Sequence, residues 1–140
     1  MDDLLDRLHH PQLGYRLLAW TVAVLMLFHG VAKVLNGVGG IAGMLGGAGL
    51  PGFLAYGSLI GEFVAPLLVL TGFFVAPAAL VMAVNMVVAL ALAHLPQLFT
   101  LNPKTGGYAL ELQVFFLLGS VAVALLAPKR GQVLTATRAP

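Results

Sequence analysis

The sequence predicts an all-α integral membrane protein, a four-transmembrane-helix antiparallel bundle with both termini cytoplasmic. Composition is the first reason: of 140 residues, 60% are hydrophobic and only 9% are charged, whereas soluble domains carry about 25% charged residues. A soluble domain of this size buries only about two-thirds of the surface that its unfolded chain exposes, so it could not bury so many apolar side chains. Four long apolar runs and an uneven distribution of basic residues are the other two reasons.

Each apolar run has close to the roughly 20 residues that an α-helix needs to span the hydrocarbon core. We predict helices over about 13–36, 53–74, 76–95 and 108–127, in a single membrane domain that covers residues 1–140. Backbone groups inside lipid must bond internally, so helices are the expected form. The glycine-rich loop 37–52 separates the first two runs, and we interpret it as a flexible or re-entrant element.

The second and third runs are joined by a very short connection, Gly72–Pro77. Gly72 lets the chain leave one helix, and Pro77 can begin the next. This connection predicts an antiparallel helical hairpin.

Basic residues predict the orientation. Five lie on the side of both chain termini and two on the other side: Arg7, Arg16, Lys129, Arg130 and Arg138 against Lys33 and Lys104. Cytoplasmic flanks of membrane helices carry the excess of Lys and Arg, so we expect both termini in the cytoplasm and a multi-pass protein of a bacterial inner (plasma) membrane. The net charge of +2, without a basic patch, argues against nucleic acid, which leaves the lipid bilayer and other membrane protein chains as partners.

Polar side chains within the apolar runs are the candidate site residues, since a charge at mid-membrane costs about 3 kcal/mol or more. At about 1.5 Å per residue, His29 and Glu62 have similar depths, and Lys33, His94 and Glu111 form a second layer nearer the outer surface. We predict these five as substrate-binding residues and name no catalytic residue. Glu62 should face the bundle interior and contact His29 or Lys33.

Two further polar residues are predicted to serve helix packing, Asn85 and Ser58. Asn85 and His94 are nine residues apart, about 180° around a helix, so both should not face one point. Pro66 lies four residues after Glu62, where its missing N–H and its ring predict a kink.

Each candidate also has a structural interpretation. Lys33 could extend to the outer headgroups, Glu111 could be an exposed residue at a helix N-terminus, and His94 could be an interfacial residue. A purely structural interpretation is weakest for Glu62, because it lies near the middle of the membrane and is the only charged residue in its run.

The chain resembles the DoxX family. Three motifs carry the resemblance: His29-Gly30-Val31-Ala32-Lys33, then Gly49-Leu50-Pro51, then Glu62 with the run from Pro66 to Phe73. The likeness extends from Arg16 to about Arg130. It implies a small four-helix membrane protein. Some members of that family are linked to quinone-reducing thiosulfate oxidation, and others to oxidative-stress or copper-related operons.

From this resemblance we expect a small membrane subunit of a redox system, which binds a quinone or supports a quinone-linked partner oxidoreductase. The chain has no cysteine and therefore no thiolates for an iron–sulfur cluster. A quinone head needs only one or two hydrogen-bonding groups in an apolar slot, and His29, Lys33 and Glu62 offer them. Whether the chain is itself an enzyme stays open.

Two alternatives remain. The chain could be a purely structural accessory subunit of a larger membrane protein complex, with polar residues that only lock helices together. It could also hold a metal ion on His29, Glu62, His94 and Glu111. Lys33 disfavours the second alternative because its charge would repel a cation, so we predict no metal.

Overall fold

The computed structural model describes residues 9–128, and within that range every regular element is helical. Five helices follow one another: α1 (Pro11–Asn36), α2 (Gly39–Gly47), α3 (Gly52–Thr71), α4 (Val75–Gln97) and α5 (Glu111–Leu126). α3 and α4 contain short 3-10 and π turns. The prediction of an all-α chain is confirmed for the described residues.

Three of these helices are long and apolar enough to cross a membrane. α1 has 26 residues, α3 has 20 and α4 has 23. α5 is apolar but has 16 residues, a length of about 24 Å against the roughly 30 Å hydrocarbon core. By length and composition, the structure therefore supports three of the four predicted crossings.

The α3–α4 connection explains why the predicted helix boundaries shift by a few residues. Gly72 adopts a left-handed conformation with φ 77°. The Gly72 N–H donates to the carbonyl of Val69, and the Phe73 N–H donates to that of Leu68, which together form a Schellman motif. α3 therefore ends at Thr71 rather than near residue 74. The C-terminal part of α3 (Ala65–Thr71) packs against α4, which confirms the predicted antiparallel hairpin.

The predicted loop 37–52 is wrong in its central part, because Gly39–Gly47 forms helix α2. α2 also ends in a Schellman motif, with Gly49 at φ 74° and the Leu50 N–H on the carbonyl of Leu45. Leu45 is buried with Val38 of the preceding turn and Ala55 of α3. The apolar side chains between the glycines thus hold this segment against the bundle.

α5 begins three residues later than predicted because Tyr108 is used in a turn. Tyr108 forms an isolated antiparallel bridge with Leu101, and its hydroxyl donates to the carbonyl of Leu98 at 2.7 Å. The chain therefore becomes helical only at Glu111.

The four helices α1, α3, α4 and α5 form a ring in which α1 and α4 each contact both α3 and α5. One continuous core joins them, with Val22 and Met26 from α1, Met82 from α4, and Phe116 and Val123 from α5. The outward faces expose large apolar side chains, as a lipid-facing surface does. The end of the bundle at which α1 and α4 finish and α3 and α5 begin is called the distal end below.

Gly119 makes the close contact of α5 with α1 possible, since a Cβ there would lie 2.7 Å from Cγ2 of Val22. We expect Gly119→Ala to lower the free energy of unfolding in detergent by about 1–3 kcal/mol, the usual cost of overpacking. Adding Val22→Ala should restore part of that loss. Gly14→Ala, at a position with open space in α1, should lose nothing. A Gly119→Ala protein as stable as wild type would contradict this packing.

Candidate functional site

Lys33, Glu62 and Asn85 form a polar cluster inside the bundle, with Glu62 at its centre. Its side chain is buried, with 3% of its surface exposed. Its carboxylate oxygen Oε1 forms an ion pair with Nζ of Lys33 from α1 and accepts a hydrogen bond of 2.9 Å from Nδ2 of Asn85 from α4. Three helices therefore meet at one oxygen atom. We predicted that Glu62 contacts His29 or Lys33, and the contact with Lys33 is confirmed.

The direction of helical side chains explains how Lys33 reaches Glu62. Side chains on a helix tilt toward its N-terminus, so Lys33, three residues before the end of α1, points back into the bundle. Its side chain retains 26% exposure. The alternative in which Lys33 extends to the headgroups is therefore not the one observed.

Two glycines bring the three helices close enough for these contacts. A Cβ on Gly30 of α1 would overlap the backbone carbonyl of Glu62, and a Cβ on Gly61 of α3 would lie 2.6 Å from Cγ of Asn85. Small residues allow close approach of membrane helices. α1 and α4 therefore both approach α3 closely beside Glu62.

A π turn, Ile60–Val64, carries Glu62, and Ala65 donates there to the carbonyl of Ile60. Pro66 follows directly and is fully buried. Because Pro66 has no N–H, the carbonyl of Glu62 lacks its usual helical donor, and the chain accommodates this with an i→i+5 turn. The sequence predicted a kink at Pro66, and the structure has a π turn directly before it.

A second π turn, Leu90–His94, lies in α4. A π turn rotates the chain less per residue than an α-helix does, so the nine-residue spacing of Asn85 and His94 separates them by less than the roughly 180° of a regular α-helix. Both side chains line the same groove. Their side chains nevertheless have partners on different helices, Glu62 of α3 for Asn85 and Gln113 of α5 for His94, in agreement with the prediction that both do not face one point.

The ion pair lies between two cavities. The larger, called the groove below, has a volume of about 730 Å³ and runs between α2, α3 and α4. Most of its lining is apolar, including Met44, Leu45 and Leu54. The smaller, called the small cavity, has a volume of about 150 Å³. Four residues line both cavities: Lys33, Glu62, Ala89 and His94.

The remaining predicted site residues lie in different places. His29 lines the small cavity and packs edge-on against Phe116, with ring centroids 5.6 Å apart. His94 contacts Gln97 through Nδ1 at 3.2 Å and Gln113 through Nε2 at 3.4 Å. Glu111 is exposed at the start of α5 and lines neither cavity, so the predicted layer of Lys33, His94 and Glu111 does not form.

The two residues assigned to packing differ from each other. Asn85 joins α4 to Glu62, as a packing residue should. Ser58 is buried and lines the groove, but its hydroxyl donates to the carbonyl of Ala55 in the same helix at 2.7 Å.

Sequence reasoning missed Gln113, Gly30 and Gly61. Gln113 is one of the few polar side chains in α5, and counting uncharged polar residues would have found it. Gly61 is the second glycine of a Gly57-x-x-x-Gly61 pattern, which is typical of close helix contacts in membranes. No glycine lies four residues from Gly30 in α1. Its position between His29 and Lys33 is therefore the signal in the sequence that could have indicated it.

The cluster offers hydrogen-bond donors and one proton-accepting group. Lys33 brings three donor hydrogens, and an ionised Glu62 carboxylate has about four lone-pair sites. Among residues 9–128, no three His, Asp or Glu side chains lie close enough together to hold a metal ion, so the four residues of the metal alternative are not assembled.

These features define a small helical membrane protein with a polar cluster inside its bundle. The family model of DoxX matches residues 15–95, more than half of the chain, and the chain belongs to the DoxX family. The match includes Lys33, Glu62, Asn85 and His94 but stops before α5, short of the Arg130 expected from the resemblance. A comparison with curated proteins found no match, and neither did one with solved structures.

The ion pair generates a stability prediction. Lys33→Met should leave the Glu62 carboxylate buried with Asn85 alone, and should lower the free energy of unfolding by about 3 kcal/mol, near the lower end for a broken buried pair. The double variant Lys33→Met/Glu62→Gln should recover much of this loss, because it leaves no unpaired charge. Unfolding in detergent measures both.

Lys104→Met is the matched control, since Lys104 is exposed in the α4–α5 connection. It should be neutral. The pairing is contradicted if Lys33→Met matches Lys104→Met, or if the double variant is no more stable than the single one.

Proposed function

We propose that this DoxX protein is a small membrane subunit of a redox system, and that it binds a quinone in the groove. It either presents the quinone to a partner oxidoreductase or helps that partner reach the quinone pool. The observation that carries the proposal is an apolar groove that ends at a buried ion pair. The chain has no cysteine to hold an iron–sulfur cluster, and we assign electron transfer to the partner oxidoreductase.

The size and lining of the groove support a lipophilic ligand. Its volume of about 730 Å³ falls within the roughly 300–1,000 Å³ of small-molecule sites, which are mostly apolar with a few placed polar groups. Val84 and Val88 of α4 form one wall, and Met44 and Leu50 contribute from the side of α2. An isoprenoid tail fits this lining.

Three polar groups at the groove are suited to a quinone head. Lys33 and Asn85 carry N–H donors for carbonyl oxygens, and Glu62 can accept a proton from a hydroquinone hydroxyl. His94 also lines the groove. The site therefore distinguishes a quinone, which has polar oxygens on a flat ring, from a plain hydrocarbon.

A second candidate function is a purely structural accessory subunit. The specific observation in its favour is that Lys33, Glu62 and Asn85 join α1, α3 and α4 at one oxygen atom. Such a network is sufficient to lock the bundle without any ligand. Quinone content and stability, measured on the same variants, separate the two functions.

Blocking the groove tests quinone binding. Val88 lines the groove, whereas the next residue, Val87, does not, and both are largely exposed. We expect Val88→Trp to purify in mild detergent with no more quinone than an unrelated membrane protein, because the indole projects into the groove and obstructs it. Val87→Trp should retain the wild-type quinone content, measured by extraction and mass spectrometry.

Glu62→Gln extends the test to the polar end. The Glu62 carboxylate can accept a charge-assisted hydrogen bond from a hydroquinone hydroxyl, worth about 1.5–3 kcal/mol, so the substitution should weaken binding of the reduced form, the hydroquinone, by about tenfold or more. Equal quinone content in all four proteins, or none in wild type, would reject quinone binding and leave the structural function.

We also infer that α5 is a fourth crossing and that both termini are cytoplasmic in a bacterial inner membrane. Arg16 lies near the start of α1, and Lys104 lies in the α4–α5 connection at the distal end. Arg7, Lys129, Arg130 and Arg138, which support the same orientation, lie outside the described residues. The bias of basic residues toward the cytoplasm supports this arrangement.

Two reporter fusions test the orientation. A reporter after Pro140 should be active only in a cytoplasmic format, and one inserted between Pro103 and Lys104 only in a periplasmic format. Opposite results at both positions would reverse the orientation. Signals on the same side at both positions would show that α5 does not cross.

A further inference from the structure

The small cavity is lined by polar groups from each of the helices α1, α3, α4 and α5. They are His29 and Lys33 from α1, Glu62 from α3, His94 from α4 and Gln113 from α5. Lipid-facing helix surfaces do not gather such groups, since each unsatisfied polar group in hydrocarbon costs several kcal/mol. A polar cavity with several hydrogen-bonding partners is instead the kind that holds water.

These groups extend from the distal end of the bundle inward. Gln113 is two residues from the start of α5, and His94 is three residues from the end of α4. Glu62 is ten residues into α3, roughly 15 Å from the distal end of that helix. A line of polar groups therefore connects the distal surface with the buried carboxylate.

The inner end of the cavity is closed by apolar side chains. Met26, Met86 and Phe116 line it and are almost completely buried, at 0%, 5% and 2% exposure. They belong to the main core of the bundle. These side chains therefore close the cavity toward the chain termini, whereas His29, which also lines it, is exposed.

Unused hydrogen-bonding capacity at Glu62 and Lys33 indicates what the cavity holds. Lys33 and Asn85 both bind Oε1 of Glu62, so the second oxygen, Oε2, keeps lone pairs for another donor. An ammonium group has three donor hydrogens, of which the ion pair uses one. With a volume of about 150 Å³, against roughly 30 Å³ per molecule in liquid water, the cavity has room for several waters.

We infer that the small cavity is a water-filled vestibule open only to the distal side, and that Glu62 exchanges protons with that side through it. The transfer is a plain acid–base step: a proton moves between a vestibule water and Oε2 of the carboxylate, with no change of oxidation state. The titratable groups that face this path are Lys33, His29 and His94. This inference does not require that the groove binds a quinone.

The absence of cysteine makes the natural chain a clean background for a water-accessibility test. Single-cysteine variants in native membranes are treated with a membrane-impermeant cationic methanethiosulfonate. Gln113→Cys tests the vestibule, Leu118→Cys is the control on the exposed apolar surface of the same helix, and Lys104→Cys marks the distal aqueous side. Right-side-out and inverted vesicles present the two faces separately.

We expect Gln113→Cys to react at least about tenfold faster than Leu118→Cys, because only a hydrated thiolate is nucleophilic. It should react from the same face as Lys104→Cys and not from the other. A deeper probe, His29→Cys, should also react, and Gln113→Trp added to it should slow that reaction while Lys104→Cys is unaffected.

Labelling of Gln113→Cys at the rate of Leu118→Cys, or from the face opposite to Lys104→Cys, would overturn the inference. The inference would also be overturned if Gln113→Trp left the labelling rate of His29→Cys unchanged. His94→Cys replaces Gln113→Cys if the latter does not fold. The reaction needs no bound ligand, so a failure of quinone binding and a failure of the vestibule are recognised independently.

Discussion

A carboxylate buried among membrane helices must have polar partners, and much of the structure near Glu62 follows from this requirement. An isolated charge in a medium of low dielectric constant is too costly to persist, so α1 and α4 must each bring a donor to α3. Lys33 and Asn85 are those donors. Gly30 and Gly61 lie where any side chain would hold the helices apart, and the π turn before Pro66 orients the carboxylate.

The same cluster separates two environments with different chemistry. On one side the groove is large and apolar, which suits a lipophilic molecule from the bilayer. On the other side the small cavity has polar side chains from four helices among its apolar lining. A carboxylate with both environments at hand can bind a ligand head from the first and exchange protons with the second. Membership of the DoxX family agrees with a helical protein of the membrane.

The sequence predicted the features that depend on composition and spacing along a single helix. Apolar runs gave the three long helices, and a lone glutamate with a lysine at a reachable depth gave the ion pair. It did not predict features that depend on changes of helical phase: the π turn at Leu90–His94 brings His94 to the groove that Asn85 lines. Nor did it predict α2, because glycine-rich segments have weak helix propensity and the burial of Leu45 is decided by tertiary contacts.

The central claim, that Lys33 pairs with Glu62 inside the bundle, can be measured as an interatomic distance. The chain has three lysines and two glutamates, so protein labelled with ¹⁵N at Lys Nζ and ¹³C at Glu Cδ is suited to a solid-state dipolar-dephasing measurement in lipid bilayers. The account predicts one strong coupling, from an ammonium within about 4 Å of a carboxylate, and its loss in Glu62→Gln and in Lys33→Met. A wild-type protein without that coupling, or a coupling that survives both substitutions, would contradict the account.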